Sequence, residues 1–482
     1  MLAEGLRPDL DRLLRAIVAD DAGDRILDLD RLRDAVTELI IGVHRYRTYL
    51  PDDAASVAEL VAAHERALEH RSDLRDDLAV LVETIRRRPA IATRWEQLCS
   101  PVMAKGAEDR AFYRYLRLAS LCEVGGAPGQ WTTSNEEFHR HQLAVQDLMP
   151  TTMLAGTTHD TKRAEGVRAR SLALAEIADE WAAIAHSWID THDELVAGAG
   201  LDRATALLAL QTAVTAWPIG AERLTEYLVK STREAHTRTS WTDPDESYER
   251  SLAGLCDALE HELVHAGLDD SDGYDLAGVV LLTLGRGWEI SLASLAVRLT
   301  APGVPDLYQG TAAFTYSLVD PDNRVEPDWD ERRALVDRAA GIDISAARVD
   351  GVEQARHAVS DRASDIEAAK AVVITRTLAL RRRRESAFGP AAGYAPLEVV
   401  GERVDDVLAF ARTDAVDPLV VTIVAKRAAE AGGWANTAVL LPEGEWRDVL
   451  TDDASVVAGG AEVPLGGWLD RAGVAVLERT DV

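Results

Sequence analysis

Near residue 370 the spacing of the apolar side chains changes, and that change limits what the chain can fold into. Before it, apolar residues recur at three- and four-residue steps, as in Leu10, Leu13, Leu14 and Ile17, or Leu60, Val61 and Leu68, the pattern of amphipathic helices. After it come short runs, PLEVVG, DDVLAFART, PLVVTIVA, TAVLLPEG, GEWRDVL and GVAVLER, broken by Gly and Pro turns. Those runs predict a small all-β domain closing the chain. The expected class is therefore α+β and multi-domain. A helical region covers 1–120, a mixed region 121–350 with helical patterns from about 165 to 275, and the β domain 365–482, with the boundary near 345–365. CEVGGAPGQWTTSNE (121–135) and DDSDGYD (269–275) read as loops, and Arg381–Arg384 as the solvated end of a helix.

Composition removes several classes of function. With 52 basic against 81 acidic residues the formal net charge is −29, a field that repels phosphate backbones, so no nucleic-acid partner is expected. No apolar run is read as approaching the roughly 20 residues of a membrane span, and the first residues lack a basic and apolar leader, so no membrane is expected either. Cys99, Cys122 and Cys256 are odd in number and far apart, which argues against a disulfide framework and for a reducing cytoplasm. Trp (11) outnumbers Phe (5), a leaning that suits sugar stacking and core packing equally. Only five lysines occur: Lys105, Lys162, Lys230, Lys370 and Lys426. In a chain so biased to Arg, a lysine marks a place where a compact ammonium is wanted, or is simply a surface cation.

Three motifs carry chemistry. His261-Glu262-Leu263-Val264-His265 fits the helical zinc-peptidase pattern of two imidazoles and a general base, with Glu289 imaginable as a third ligand. The plainer reading is an exposed helical stripe, and no metal is expected. In Gly156-Thr157-Thr158-His159-Asp160-Thr161-Lys162-Arg163 a short apolar strand, Thr151–Ala155, ends in His-Asp and two cations, the layout of a barrel-strand tip. A carboxylate there can stabilise an oxocarbenium-like centre while the imidazole hydrogen-bonds sugar hydroxyls. Asp160 can equally be a helix N-cap with Arg163 on the surface. LTAPGVPDLYQG (299–310) offers Asp306 and Tyr308 to a ligand from a Pro/Gly-shaped strand end, or is a tight turn.

THDTKR, LTAPGVPDLYQG and SLVDPDNR together resemble the malto-oligosyltrehalose synthase family of the α-amylase superfamily. VMAKGAEDRAFYRYLRL, EEFHRHQ, VRARSLALAEIADEW, AWPIGAERL, REAHTRTSWTDPDESYE, LALRRRRESAF and YAPLEV extend the likeness over essentially the whole chain. The resemblance implies a (β/α)₈ barrel with helical insertions and a C-terminal β-sandwich. It implies rearrangement of the reducing-end linkage of maltodextrins from α-1,4 to α,α-1,1, with no cofactor. His159 and Asp160 would end the seventh barrel strand, Asp160 as the third catalytic carboxylate and His159 as a sugar contact. Lys105, Lys162, Arg163, Lys230, Asp306 and Tyr308 would join it in binding substrate.

The family's nucleophile belongs to a G-x-R-x-D pattern followed by His. The two matches here, Gly5–Asp9 and Gly401–Asp405, lack that context, and the D-x-x-x-N-H signature is absent. The chain thus reads as the C-terminal portion of such a synthase, inactive by itself and complemented by a separately encoded N-terminal half, or else as a glucan-binding scaffold. Ala312, Gly166, Leu116 and Cys122 stand where the family usually has polar or acidic residues.

Overall fold

A computed structural model describes residues 2, 5–20, 28–265, 275–347, 364–427, 433–434 and 436–482. The expected boundary near 345–365 and the 269–275 loop lie largely outside these residues. The chain divides into two compact units, residues 1–115 with 234–237, and residues 116–233 with 238–482.

The first unit is helical. Helices Arg7–Asp20, Leu29–Ile41, Ala54–His70, Arg75–Arg87 and Pro89–Val102 bury one apolar face each, closing a core of Leu13, Leu39, Leu60, Leu78 and Leu81 around a fully buried Trp95. Asp28 and Asp53 start two of these helices by accepting backbone N–H groups that would otherwise be orphaned. A π-helical stretch, Met103–Ala111, follows directly.

The second unit is organised on helix Leu276–Thr300, apolar on every side and buried along nearly its whole length. This corrects the expectation from the sequence: the helix is long and apolar enough to cross a membrane, and 89% of its most apolar window is buried inside the protein. Asp275 caps it by accepting the Gly278 N–H at 2.7 Å. Gly287 lets helix Glu165–Glu176 pack hard against it, since a Cβ there would stand 2.6 Å from Arg170 Cγ. Two strands, β1 (Met153–Leu154) and β2 (Val304–Pro305), pair in parallel with Met153 opposite Val304.

Strands β3 (Gly393–Pro396), β4 (Val399–Val400), β5 (Val407–Thr413), β6 (Pro418–Ala425), β7 (Ala438–Leu440), β8 (Glu445–Asp448), β9 (Val457–Ala458), β10 (Glu462–Pro464) and β11 (Val474–Arg479) complete the chain. They form two antiparallel sheets, ordered β3-β5-β6-β11-β8-β9 and β10-β7-β4. One core joins the two sheets, with Trp434, Trp446, Ile423, Leu477 and Val439 in it. The β-rich part belongs to the same compact unit as the helices before it. Thr422 Oγ1 donates to Thr300 Oγ1 at 2.8 Å, and Asn135 Nδ2 to the Val407 carbonyl at 2.9 Å.

Arg381–Arg384 is a solvated helix end only in part: Arg382 and Arg383 are exposed, whereas Arg381 and Arg384 are half-buried, and the run clamps its surroundings. Arg381 donates to the Leu299 carbonyl at 2.8 Å, and Arg383 and Arg384 pair with Glu478 at 2.9 and 3.1 Å. The Glu478 side chain is only 6% exposed, and a carboxylate so placed requires its countercharges.

Candidate active site

Because β1 and β2 run parallel, their C-terminal ends open on the same side of the unit. One tip leads into His159 and Asp160, the other into Asp306 and Tyr308. The ladder continues past the strands through Val304 N to the Thr152 carbonyl, 2.8 Å, and Asp306 N to the Leu154 carbonyl, 2.9 Å. Gly303 (φ 127°) permits this approach, because a Cβ would lie 2.7 Å from Leu154 Cγ. Gly310 (φ 75°) turns the second loop where Pro327 leaves no room for a side chain.

The first loop is fixed from below. Asn323 Nδ2 donates to the carbonyls of Thr158 and Thr161, each at 3.2 Å, and Arg324 Nε to the His159 carbonyl at 3.1 Å. Thr158 N donates to Thr161 Oγ1 at 2.6 Å. The Glu123 carboxylate receives the Lys162 and Arg163 N–H groups at 2.8 and 3.1 Å. These bonds hold the backbone and leave the side chains of His159 and Asp160 exposed. Asp160 is not a helix N-cap: the helix begins at Glu165, whose N–H is taken by Thr157 Oγ1, and Ala164 occupies the cap position. Asp306 and Tyr308 are half-buried on the second loop.

The cations separate into different roles. Lys230 Nζ donates to both the carbonyl and Oδ1 of Asp320, each at 2.7 Å. Burial pushes the Asp320 carboxyl up, but Lys230, with Arg324 and Lys162 nearby, holds it below the usual carboxylate range. Lys162 and Lys230, from distant motifs, are thus gathered on one carboxylate. Arg163 is not on the surface. It is buried, donating to the Ala119 carbonyl at 3.0 Å and to the Tyr227 hydroxyl. Lys105 belongs to the N-terminal unit, where it is exposed on the π-helical stretch and paired with Asp109.

Between the second loop and residues 314–328 lies a cleft of about 380 Å³ lined by Thr157, Arg223, Tyr308, Thr315, Asn323 and Asp328, among others. Arg223 pairs bidentately with Asp322 at 3.0 and 2.8 Å. Thr315 Oγ1 and Asn323 Oδ1 are buried in its lining without a hydrogen-bond partner in the protein. His159 and Asp160 share a loop with Thr157 but do not line the cleft. Gly166 has a structural reason: the Thr315 carbonyl lies 2.5 Å from where its Cβ would be, so no acidic side chain fits this arrangement.

Sequence reasoning missed Glu123, Asn323 and Asp320. SLVDPDNR contains two of them, so that motif was the available signal. At the start of helix Glu165–Glu176 lies a further cluster it did not foresee. Lys370 Nζ donates to Glu165 Oε1 at 2.6 Å and to the Ala313 carbonyl at 3.0 Å, and Arg298 Nη1 to Glu165 Oε2 at 2.6 Å.

The zinc motif finds no such convergence. His261 is exposed, the His265 side chain lies outside the described residues, and Glu262 accepts the Trp188 indole N–H at 2.6 Å. Glu289 is paired with Arg286 at 2.6 Å. Among the described residues no three His, Cys, Asp or Glu side chains form a group able to hold a metal ion. The three cysteines are buried and form no disulfide, and burial raises Cys122 to about 11 and Cys256 to about 12.

No family model matches the chain. Among solved structures, it is similar to a maltooligosyltrehalose synthase from Arthrobacter ramosus, with a TM-score of 0.80 and 33% identity, covering 98% of this chain and 56% of that one. A hypothetical maltooligosyl trehalose synthase of Sulfolobus tokodaii shares the fold at a TM-score of 0.69 and 23% identity, over 99% of this chain and 56% of its own. A Mycobacterium tuberculosis protein provisionally named maltooligosyl trehalose synthase is 32% identical over 454 residues, 92% of this chain and 52% of that protein. The chain is homologous to the maltooligosyl trehalose synthases, and spans about half the length of the curated relatives it matches.

Proposed function

We propose that this chain supplies the third carboxylate and part of the sugar-binding groups of a maltooligosyl trehalose synthase, which turns the reducing-end α-1,4 linkage of a maltodextrin into α,α-1,1. In this reading β1 and β2 are the last two strands of a (β/α)₈ barrel. The observation that carries it is the parallel pairing, which brings Asp160 and the Asp306–Tyr308 loop to one end. Asp160 lies beside positive charge developing on the sugar ring. His159, Lys162, Asp306 and Tyr308 meet its hydroxyls, and Lys230 keeps one of its three N–H groups beyond the two given to Asp320. Arg163 acts indirectly, through the loop it anchors. Lys105 is proposed as a sugar contact from the family likeness alone.

Retaining chemistry also needs a nucleophile and an acid about 5–5.5 Å apart. Gly5–Asp9 runs into a helix start and Gly401–Asp405 forms the turn after β4, so neither puts a carboxylate on a parallel strand tip. A polypeptide of these 482 residues, given maltopentaose, is therefore expected to form no trehalose-ended product, because loss of a nucleophile costs many orders of magnitude. Turnover above a contamination control overturns the proposal.

Both edges of the β1–β2 pair are open among the described residues, and Met153 and Val304 are 63% and 42% exposed. Parallel sheets are normally covered on both faces, which supports a partner segment that adds the remaining strands. A second reading, glucan binding without turnover, is favoured by the unpartnered Thr315 and Asn323 atoms in the cleft. Maltodextrin titration of the chain alone tests it.

A further inference from the structure

The β-rich part holds a second concave site, whose lining shares no residue with the β1–β2 tips or the cleft beside them. It is a pocket of about 230 Å³ between the end of β8, the β8–β9 loop and helix Gly466–Ala472. Asp448 and Thr451 form its inner end, Trp468, Val457, Val463 and Pro464 its apolar walls, and Arg471, Asp453 and Ser455 its rim.

The inner end is polar and incompletely used. Asp448 is 7% exposed, and its Oδ1 accepts the Leu450 N–H at 3.0 Å. The Val476 N–H also favours the carboxylate, yet no donor reaches its Oδ2 in hydrogen-bond geometry, and Arg471 Nη1 stands off at 3.8 Å. Thr451, also 7% exposed, has a hydroxyl with no partner. Two buried polar atoms left open at one end of a pocket cost stability unless something enters to bond them. Arg471 is likewise not committed to Asp453, which it approaches only to 3.7 Å.

We propose that this pocket is an accessory binding site for one glucose residue of an α-glucan. A neighbouring hydroxyl pair suits the donor and acceptor demands. One hydroxyl donates to Asp448 Oδ2, another bonds the Thr451 hydroxyl, and Arg471 donates to a third oxygen. The C–H face of the ring rests on Trp468 and the apolar wall. The charge balance selects a neutral ligand, because Asp448 and Asp453 oppose an anion and Arg471 opposes a cation. Gly467 leaves the mouth open, with nothing within 4 Å of where a Cβ would stand. The choice of glucose among neutral polyols rests on the proposed function, whereas the pocket and its open polar atoms do not.

The test is ligand-observed saturation-transfer NMR with maltotriose, and with glycerol as a generic polyol, on the full chain and on three variants. Thr451→Val and Arg471→Met should each weaken maltotriose binding about tenfold, the worth of one hydrogen bond. Asp160→Asn should leave that component unchanged. Thr451→Val should at the same time raise Tm, because it removes an unpartnered hydroxyl, a pairing of effects that a merely structural Thr451 would not give. Identical affinity in wild type, Thr451→Val and Arg471→Met overturns the site, as does loss of binding only in Asp160→Asn or transfer to glycerol as strong as to maltotriose. If maltotriose shows no transfer at all, the pocket holds water only and this proposal falls, while the reading of Asp160 is still decided by turnover. Binding sensitive to Thr451 and Arg471 without turnover under any condition upholds the pocket and removes the synthase.

Discussion

Glu165 shows what supports the candidate site at the level of single residues. Burial alone would raise its carboxyl, but Lys370 and Arg298 hold it down to about 2. Burial pulls the Lys370 ammonium down and Glu165 draws it back. With both cations lowering it, Glu165 is ionised at neutral pH. Its folded pKa lies below the ordinary value of 4.5, so its contribution is present above pH 4.5 and fades as pH falls toward 2. Glu165→Gln should cost about 3–5 kcal/mol at neutral pH, since it strands two buried cations. The gap between wild type and variant in urea unfolding should narrow by about 1 kcal/mol between pH 6 and 3.5. A gap independent of pH would show that the cluster is not ionised as described.

The lysine count illustrates how far residues could be read from the sequence. The idea that scarce lysines mark positions needing a compact donor suits Lys230 and Lys370, each of which aims Nζ at a carboxylate and a carbonyl together. Nothing in the sequence separated the buried structural Lys370 from lysines of the motif segments. That difference comes from Glu165, 205 positions away. The support given by Glu123 was equally hidden, because it acts through backbone N–H groups that leave no pattern in side-chain type, whereas Asn323 at least lay inside the SLVDPDNR motif.

Among the elements, the long regular ones were legible and the site's own strands were barely so. β6 matches the PLVVTIVA run residue for residue, because a strand buried on both faces reads as continuous apolar sequence. β1 and β2 are two residues each, and only the flanking motifs marked them. Helix Leu276–Thr300 escaped the membrane-length test since Gly287, Arg286 and Glu289 break the apolar run, although the helix continues through them. Its packing yields a paired prediction. Alanine for a helical glycine normally gains up to about 1 kcal/mol, and Gly254→Ala, with nothing within 4 Å, should do so. Gly287→Ala should instead cost about 1–3 kcal/mol, because its Cβ meets Arg170 Cγ at 2.6 Å and Arg170 Cα at 3.2 Å. Thermal melts of the two variants check this, and a stabilised Gly287→Ala would mean the two helices are not in the contact described.

For the whole molecule, the β-rich ending and the helical start followed from periodicity, though the short helix Gly466–Ala472 did not. The parallel pairing that brings the loops of Asp160 and of Asp306 and Tyr308 to one end was not legible in local spacing. Strand pairing over about 150 residues is a tertiary fact that local spacing does not encode. The central claim is that Asp160 stabilises charge on a sugar ring in a site completed by further barrel strands. Its most direct measurement is turnover of maltopentaose by this chain co-expressed with the part of the Arthrobacter ramosus synthase that this chain does not cover. Asp160→Asn should abolish formation of trehalose-ended product in that complex. Asp306→Asn, which removes only a hydroxyl contact, should cost roughly tenfold. Equal and mild losses in the two variants would contradict the claim, leaving Asp160 an exposed loop carboxylate without a part in the chemistry.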